Sequence, residues 1–330
     1  MSTNPTRRMH IMRLAAGHKT PAETRAKARA VAIPSALAPG LHATKAHDLI
    51  FHGGHTIQDL LFHNFFVGGQ ASWNPSDVTN INAALAAAMG DRNLNNVIQQ
   101  YFHGAVTSKQ LGSEFMVGTK PAVVSQGDAE DLITRLFTAG KLKTPDFSST
   151  VFNLILPQGT ILNDNPGTST GHIAAAFESE HATHDKAIPK DDAGDSTTGL
   201  GGYHGSVRLG GHLVYYAVGV YSERRPDGTH NGIPAFDAPW KNVVGTFYHE
   251  LNEARTDPDV EEGNHTGNVK LIGWTSRQGE EIGDFPISEA TSLSQVFQEV
   301  PLTNGNGKVP VQFEYSNAVH GPEGPIPKPH

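Results

Sequence analysis

The sequence predicts a single α/β (or α+β) domain with a mixed sheet, running from about residue 45 to residue 330. Three observations carry this. Short apolar runs stopped by glycine or proline alternate with longer stretches whose apolar residues recur every three to four positions, the pattern of interleaved strands and helices. Gly (35) and Pro (21) are plentiful while apolar residues make up only 37%, which favours a loop-rich mixed architecture over a helical bundle. No internal repeat divides the chain.

Residues 1–44 are rich in Ala, Thr, Pro and basic residues and read as a flexible basic leader, with a short helix admitted over Pro21–Val31. The body opens with Asp48–Gly54 and Leu60–Val67, two short apolar strands each stopped by a glycine pair. Ser76 or Asp77 can cap a helix through Ile81, Leu85 and Met89 to Gly90, and Leu94, Val97, Ile98 and Tyr101 continue at helical spacing. Ser125 or Asp128 opens a second helix, closed by Gly140. Val151–Leu156 and Gly211–Val220 are apolar enough for buried strands, with a polar surface loop over His181–Thr198 between them. Trp240–Arg255 is a helix. Lys270–Trp274 and Val309–Tyr315 read as late strands, with a short helix around Leu293–Val300.

Composition narrows the function. A net charge of −8 argues against a nucleic-acid surface. With no cysteine there is no disulfide, no thiolate metal site and no cysteine nucleophile, so any metal must be held by His and carboxylates. No apolar run approaches the ~18 residues of a membrane span. The basic N-terminus (Arg7, Arg8, Arg13, Lys19) is not followed by the apolar stretch of a signal peptide, and Arg13, His18 and Lys19 interrupt a twin-arginine signal; on this ground the expectation is a cytoplasmic protein.

The chemistry concentrates in His249-Glu250-Leu251-Asn252-Glu253. Positions 249 and 253 are four apart, so on a helix they stand one turn above each other and can share one ion, as in H-E-x-x-H zinc helices. Glu250 lies beside them, placed as the general base that activates water. Glu253 stands where the second His of that motif belongs; zinc is the first expectation, and the harder carboxylate admits calcium or manganese. Pro258 ends the helix at Asp257. Asp257 is preferred to Asp259 as a participant, because Thr256 takes the place of the glycine that a chain reversal toward Asp259 needs. A second carboxylate group, Glu281 and Asp284 in Gly279-Glu-Glu-Ile-Gly-Asp284, reads as a tight loop with its acids turned one way. The fold expected around such a helix is a single zincin-like domain.

Several motifs occur in a fixed order: Phe51-His-Gly-Gly54, Ile98–Phe102, Gly202-Tyr-His204, Tyr216-Ala-Val218, the stretch His249–Pro258, Gly273-Trp274, Glu281-Ile-Gly-Asp284 and Val311-Gln312 with Tyr315-Ser-Asn317. Over residues 48–320 they resemble the EXORDIUM, or phosphate-induced protein, family of plants and its bacterial relatives. The resemblance implies secretion and a link to growth and to phosphate or carbon status, with no settled biochemical activity. It marks His204, His249, Glu250, Glu253, Asp257, Glu281 and Asp284. His204 sits in Gly201–Gly205, which reads as a loop flexible enough to bring an imidazole to a metal.

Gly167-Thr-Ser169-Thr-Gly171 fits a nucleophile elbow, but Asn163–Pro166 before it is turn chemistry rather than the strand that elbow requires. Serine hydrolysis at Ser169 is therefore a minor alternative. The main expectation is a metal-dependent, peptidase-like hydrolase with Glu250 as base, acting on a peptide or small molecule. Its rival is a non-catalytic signalling or binding protein stabilised by the same metal.

Overall fold

The computed structural model describes residues 11–13, 37–164 and 194–330. Six strands form the main sheet: β1 (Ile11–Arg13), β2 (Asp59–Phe66), β3 (Thr107–Phe115), β4 (Thr150–Ile155), β5 (Leu200–Leu209) and β6 (His212–Gly219), in the order β1-β5-β6-β4-β2-β3. The sheet is mixed, as expected. β6, β4, β2 and β3 run parallel, whereas β5 returns antiparallel beside β6 and β1 lies antiparallel on β5.

Both faces of the sheet are covered, which is why its central strands are apolar without interruption. On β4, Val151 and Ile155 face one core and Phe152 and Leu154 the other, the period-2 alternation of a pleated strand. The first face packs on helix α1 (Pro75–Gly90) and on the helix carrying the His-Glu motif; the short helix α2 (Arg92–Ile98) follows α1. The second face packs on α3 (Gln126–Thr138) through Ala129, Ile133 and Leu136. The motif helix itself is α4 (Pro239–Thr256), followed by α5 (Val260–Thr266) and α6 (Asp284–Glu289). Behind α4 lie the hairpin β7 (Phe297–Pro301) with β8 (Lys308–Gln312) and the pair β9 (Glu314–Ser316) with β10 (Gly321–Glu323). Ala38 and Leu41 are already buried in the core of the first face.

Several local expectations are corrected. Asn74, rather than Ser76 or Asp77, caps α1 by accepting from the Ser76 amide, with Pro75 as first helical residue, while Asp91 starts α2 afresh. Ser125 and Asp128 act together as a capping box on α3. Asp48–Gly54 contributes only the two-residue strand Ile50–Phe51, paired with Trp274–Thr275, and Lys270 lies in a helical turn before it. Leu293–Val300 is one 3-10 turn followed by β7. The Val309–Tyr315 strand breaks at Phe313 into β8 and β9.

The largest correction is Gly201–Gly205, which is β5 and not a loop. Its glycines meet close packing rather than a turn. A Cβ at Gly202 would stand 2.6 Å from the Val218 carbonyl oxygen and 2.9 Å from Glu250 Oε1, and one at Gly205 2.7 Å from Glu261 Oε2. Ser169 and its motif, the Pro21–Val31 helix and most of the His181–Thr198 loop lie outside the described residues. Among the described residues, no helix is long and apolar enough to cross a membrane.

Candidate metal centre

Helix α4 is buried on every side from Asn242 to Thr256. Val243, Val244, Phe247, Leu251 and Ala254 fill the core beneath the sheet. That leaves the polar residues of the second half, His249, Glu250 and Glu253, turned into the protein rather than into water, each with no exposed surface. Such an arrangement is costly unless the charges are matched.

Three other segments close on them. His204 comes from β5, where it pairs with Ala217, which in turn pairs with Asn153. Glu281 and Asp284 come from the loop that opens α6, Gln312 from β8 and Glu314 from β9. His249 Nε2 stands 3.1 Å from Glu253 Oε2. His204 Nδ1 is 3.5 Å from Glu250 Oε2 and 3.8 Å from Glu253 Oε2, and its Nε2 is 3.6 Å from Glu281 Oε1. Two overlapping donor sets result, His204–Glu253–Glu281 and His249–Glu253–Asp284, with Glu253 common to both.

The surrounding hydrogen bonds orient the ligating atoms. His249 Nδ1–H donates to Gln312 Oε1 at 3.0 Å, and Gln312 Nε2 donates to the Gly283 carbonyl at 2.6 Å. This network assigns the proton to Nδ1 and turns the Nε2 lone pair toward Glu253. His204 Nε2–H donates to the Asp257 carbonyl at 3.2 Å, which turns Nδ1 toward Glu250 and Glu253. The Gly283 amide donates to Glu253 Oε1 at 3.2 Å, leaving Oε2 as the atom facing both imidazoles. The Glu281 amide donates to Asp284 Oδ2 at 3.0 Å, tightening the acidic loop. Neither oxygen of Glu250 accepts a hydrogen bond, although both are buried.

Electrostatics follow from this crowding. Burial pushes the Glu250 carboxyl well above its usual range; His249 opposes the shift, and Glu253 and Glu281 add to it. Burial raises Glu314 in the same way. For His249, burial alone would lower the pKa, but Glu253, Glu250 and Glu314 outweigh it and the net shift is upward. In the absence of a cation, protons hold this cluster together.

The donor set fits a divalent ion. Atoms bound at 2.0–2.2 Å around a tetrahedral centre sit about 3.3–3.6 Å from one another. Glu253 Oε2 stands 3.1 Å from His249 Nε2 and 3.8 Å from His204 Nδ1, on either side of that range.

Of the sequence-derived candidates, His204, His249, Glu250, Glu253, Glu281 and Asp284 thus come together. Asp257 reaches the cluster through its backbone carbonyl, while its Oδ1 accepts the Gly273 amide at 2.8 Å. Asp259 lies elsewhere, accepting from the Tyr215 hydroxyl at 3.2 Å. Glu314 carries no local signal in the sequence, and Gln312 stands out only as part of the Val311-Gln312 motif. A surface cleft of about 720 Å³ lined by Lys120, Gln158, Glu223 and Arg225 includes none of these residues and gathers no comparable donor set. Comparison with protein-family models, curated proteins and solved structures finds no match to this chain.

Proposed function

We propose that this protein is a metal-dependent hydrolase of the peptidase kind, built on a zincin-like domain and related to the EXORDIUM family through its motif order. The observation that carries the reading is the place of Glu253 Oε2, 3.1 Å from His249 Nε2 and 3.8 Å from His204 Nδ1, as the carboxylate common to two donor sets whose histidines have no exposed side chain. An ion would be held by Glu253 together with either His249 and Asp284 or His204 and Glu281. The imidazole in each donor set favours zinc over calcium, which takes oxygen ligands. When bound, such an ion polarises a carbonyl oxygen and acidifies water at neutral pH. Glu250, with neither oxygen hydrogen-bonded and an upward-shifted pKa, is suited to take a proton from water and return it to a leaving amine. Gln312 and Gly283 fix the His249 ring.

The absence of exposed surface at His249, Glu250, Glu253 and Glu281 favours a second reading, a saturated structural site in a non-catalytic protein. Metal analysis of the purified full chain, with hydrolysis of a peptide library by wild type and Glu250→Gln before and after limited proteolysis, separates the two. Bound metal in both proteins and activity only in the wild type is the expected result. Metal without activity in any sample gives the structural reading, and no metal under native purification overturns both.

A further inference from the structure

Strand β1, from the N-terminal part of the leader, docks on the edge of the main sheet. It lies antiparallel on the outer edge of β5, with Ile11 opposite Tyr203, Met12 opposite Gly202 and Arg13 opposite Leu200, the register slipping between Met12 and Arg13. It also touches both α4 and α6, so it runs in the groove bounded by the sheet edge, the metal helix and the acidic loop's helix. Its N-terminal end is the end next to His204, since Ile11 faces Tyr203.

The register places the occupant's backbone over the proposed base. Gly202 has no side chain, and the space its Cβ would take is 2.9 Å from Glu250 Oε1. A strand paired with Gly202 lies about 5 Å away across the ladder, Cα to Cα. A peptide bond near Met12 therefore passes beside Glu250 and His204. Without β1, β5 would present a free edge of backbone donors and acceptors, a ready template for another extended chain.

We propose that the groove between β5, α4 and α6 is a binding site for an extended peptide added as a strand to β5, and that the chain's own Ile11–Arg13 occupies it as a substrate-like inhibitory segment. The proposal rests on the hydrolase reading in taking the occupant as substrate-like. It names the substrate class, an extended polypeptide recognised through its backbone, and a regulation, release of β1. An occupant tethered to the body competes at an effective concentration of order mM, enough to exclude a free peptide at micromolar levels.

The test is a full-length Ile11→Pro, Met12→Pro double variant, whose two missing amide donors break the pairing in either hydrogen-bonding phase. A fluorescent peptide of residues 9–16 is titrated into wild type and variant and followed by anisotropy. The variant is expected to bind it at least about 100-fold more tightly than the wild type, and a scrambled peptide not at all. Equal affinity for the two proteins, or no binding to a folded variant, overturns the proposal. Should the variant misfold, hydrogen exchange on the unaltered chain decides: the edge amides within Leu200–Tyr203 must exchange slowly, and exchange at the rate of an open edge overturns it. Metal content, measured on the same samples, tests the hydrolase reading separately, because peptide binding through the β5 backbone needs no ion.

Discussion

His249 Nε2 and Glu253 Oε2 face each other at 3.1 Å across one turn of α4, and the far side of the His249 ring is pinned by Gln312. The pairing is useful to a metal only while Nδ1 keeps the proton, and Gln312 Oε1 is the acceptor that holds it there. Gln312→Leu keeps the bulk and removes that acceptor. Metal affinity, measured by competition with a chromophoric chelator, is expected to fall about 10–100-fold. An affinity changed by less than about threefold would show that Gln312 does not orient the ligand.

Gly283 makes the same ring position possible by having no side chain. A Cβ there would collide with His249 Nδ1 and come within 3.0 Å of Glu314 Oε2. Gly283→Ala is expected to cost roughly 1–3 kcal/mol of stability, the usual range for overpacking a tight interior, and to weaken metal retention together with it. Gly90→Ala, at the last position of α1 with nothing within 4 Å, is the control and should be neutral or slightly stabilising in the same thermal melt. If the two variants melt alike, the packing argument fails.

These two neighbours explain how far the site was legible in the sequence. The spacing of His249 and Glu253 and the acids of the Glu281–Asp284 loop are local signals, and they survive translation into structure because a helix turn and a tight loop preserve sequence spacing. Gln312 and Glu314 alternate with Val309, Val311, Phe313 and Tyr315, so by periodicity they occupy the solvent side of a half-buried strand. Only the packing of α4 and the acidic loop over that side turns them inward, and no local pattern reports it. His204 is marked by the family resemblance but reads as part of a loop, because three glycines in five residues normally mark a turn. Here two of them, Gly202 and Gly205, make room for Glu250 and Glu261. The parallel strand β3 was missed for a related reason: its sequence, Thr107–Phe115, is mostly polar and its residues largely exposed, as befits a sheet edge.

Arg255, two residues beyond Glu253, is wholly buried and ties α4 to the far edge of the sheet. Its Nη2 donates to the Thr107 carbonyl at 2.7 Å, to Ser108 Oγ at 3.1 Å and to the Gln58 carbonyl at 3.3 Å. Burial lowers its pKa to about 10, still charged at neutral pH. Arg255→Met preserves the apolar stem and strips these acceptors of a buried donor, at about 1–3 kcal/mol for each group left unsatisfied. A loss of stability on the order of 3 kcal/mol is expected in urea unfolding, with metal stoichiometry retained in the fraction that folds. Stability within about 0.5 kcal/mol of wild type would contradict the anchoring role.

The proposed metal site implies opposite pH responses for metal-free and metal-loaded protein. In the metal-free chain His249, Glu250 and Glu314 all hold protons more tightly when folded than their ordinary values of 6.5 and 4.5. A pKa raised on folding adds stability that is complete below the unfolded value and is lost as pH rises through the folded one. All three contributions have the same sign, so the metal-free fold should weaken steadily from about pH 5 to pH 8. On the proposed reading, metal binding would reverse the trend, because an ion takes up only deprotonated imidazole and carboxylate and its affinity grows with pH. Thermal melts of chelator-treated and zinc-loaded protein across this range should therefore diverge, the gap in Tm widening with each pH step. Calorimetric titration with zinc in two buffers of different ionisation enthalpy should register proton release on binding. Melting curves that fall in parallel, or a titration without proton release, would mean that the protons and the metal do not compete for His249 and Glu253.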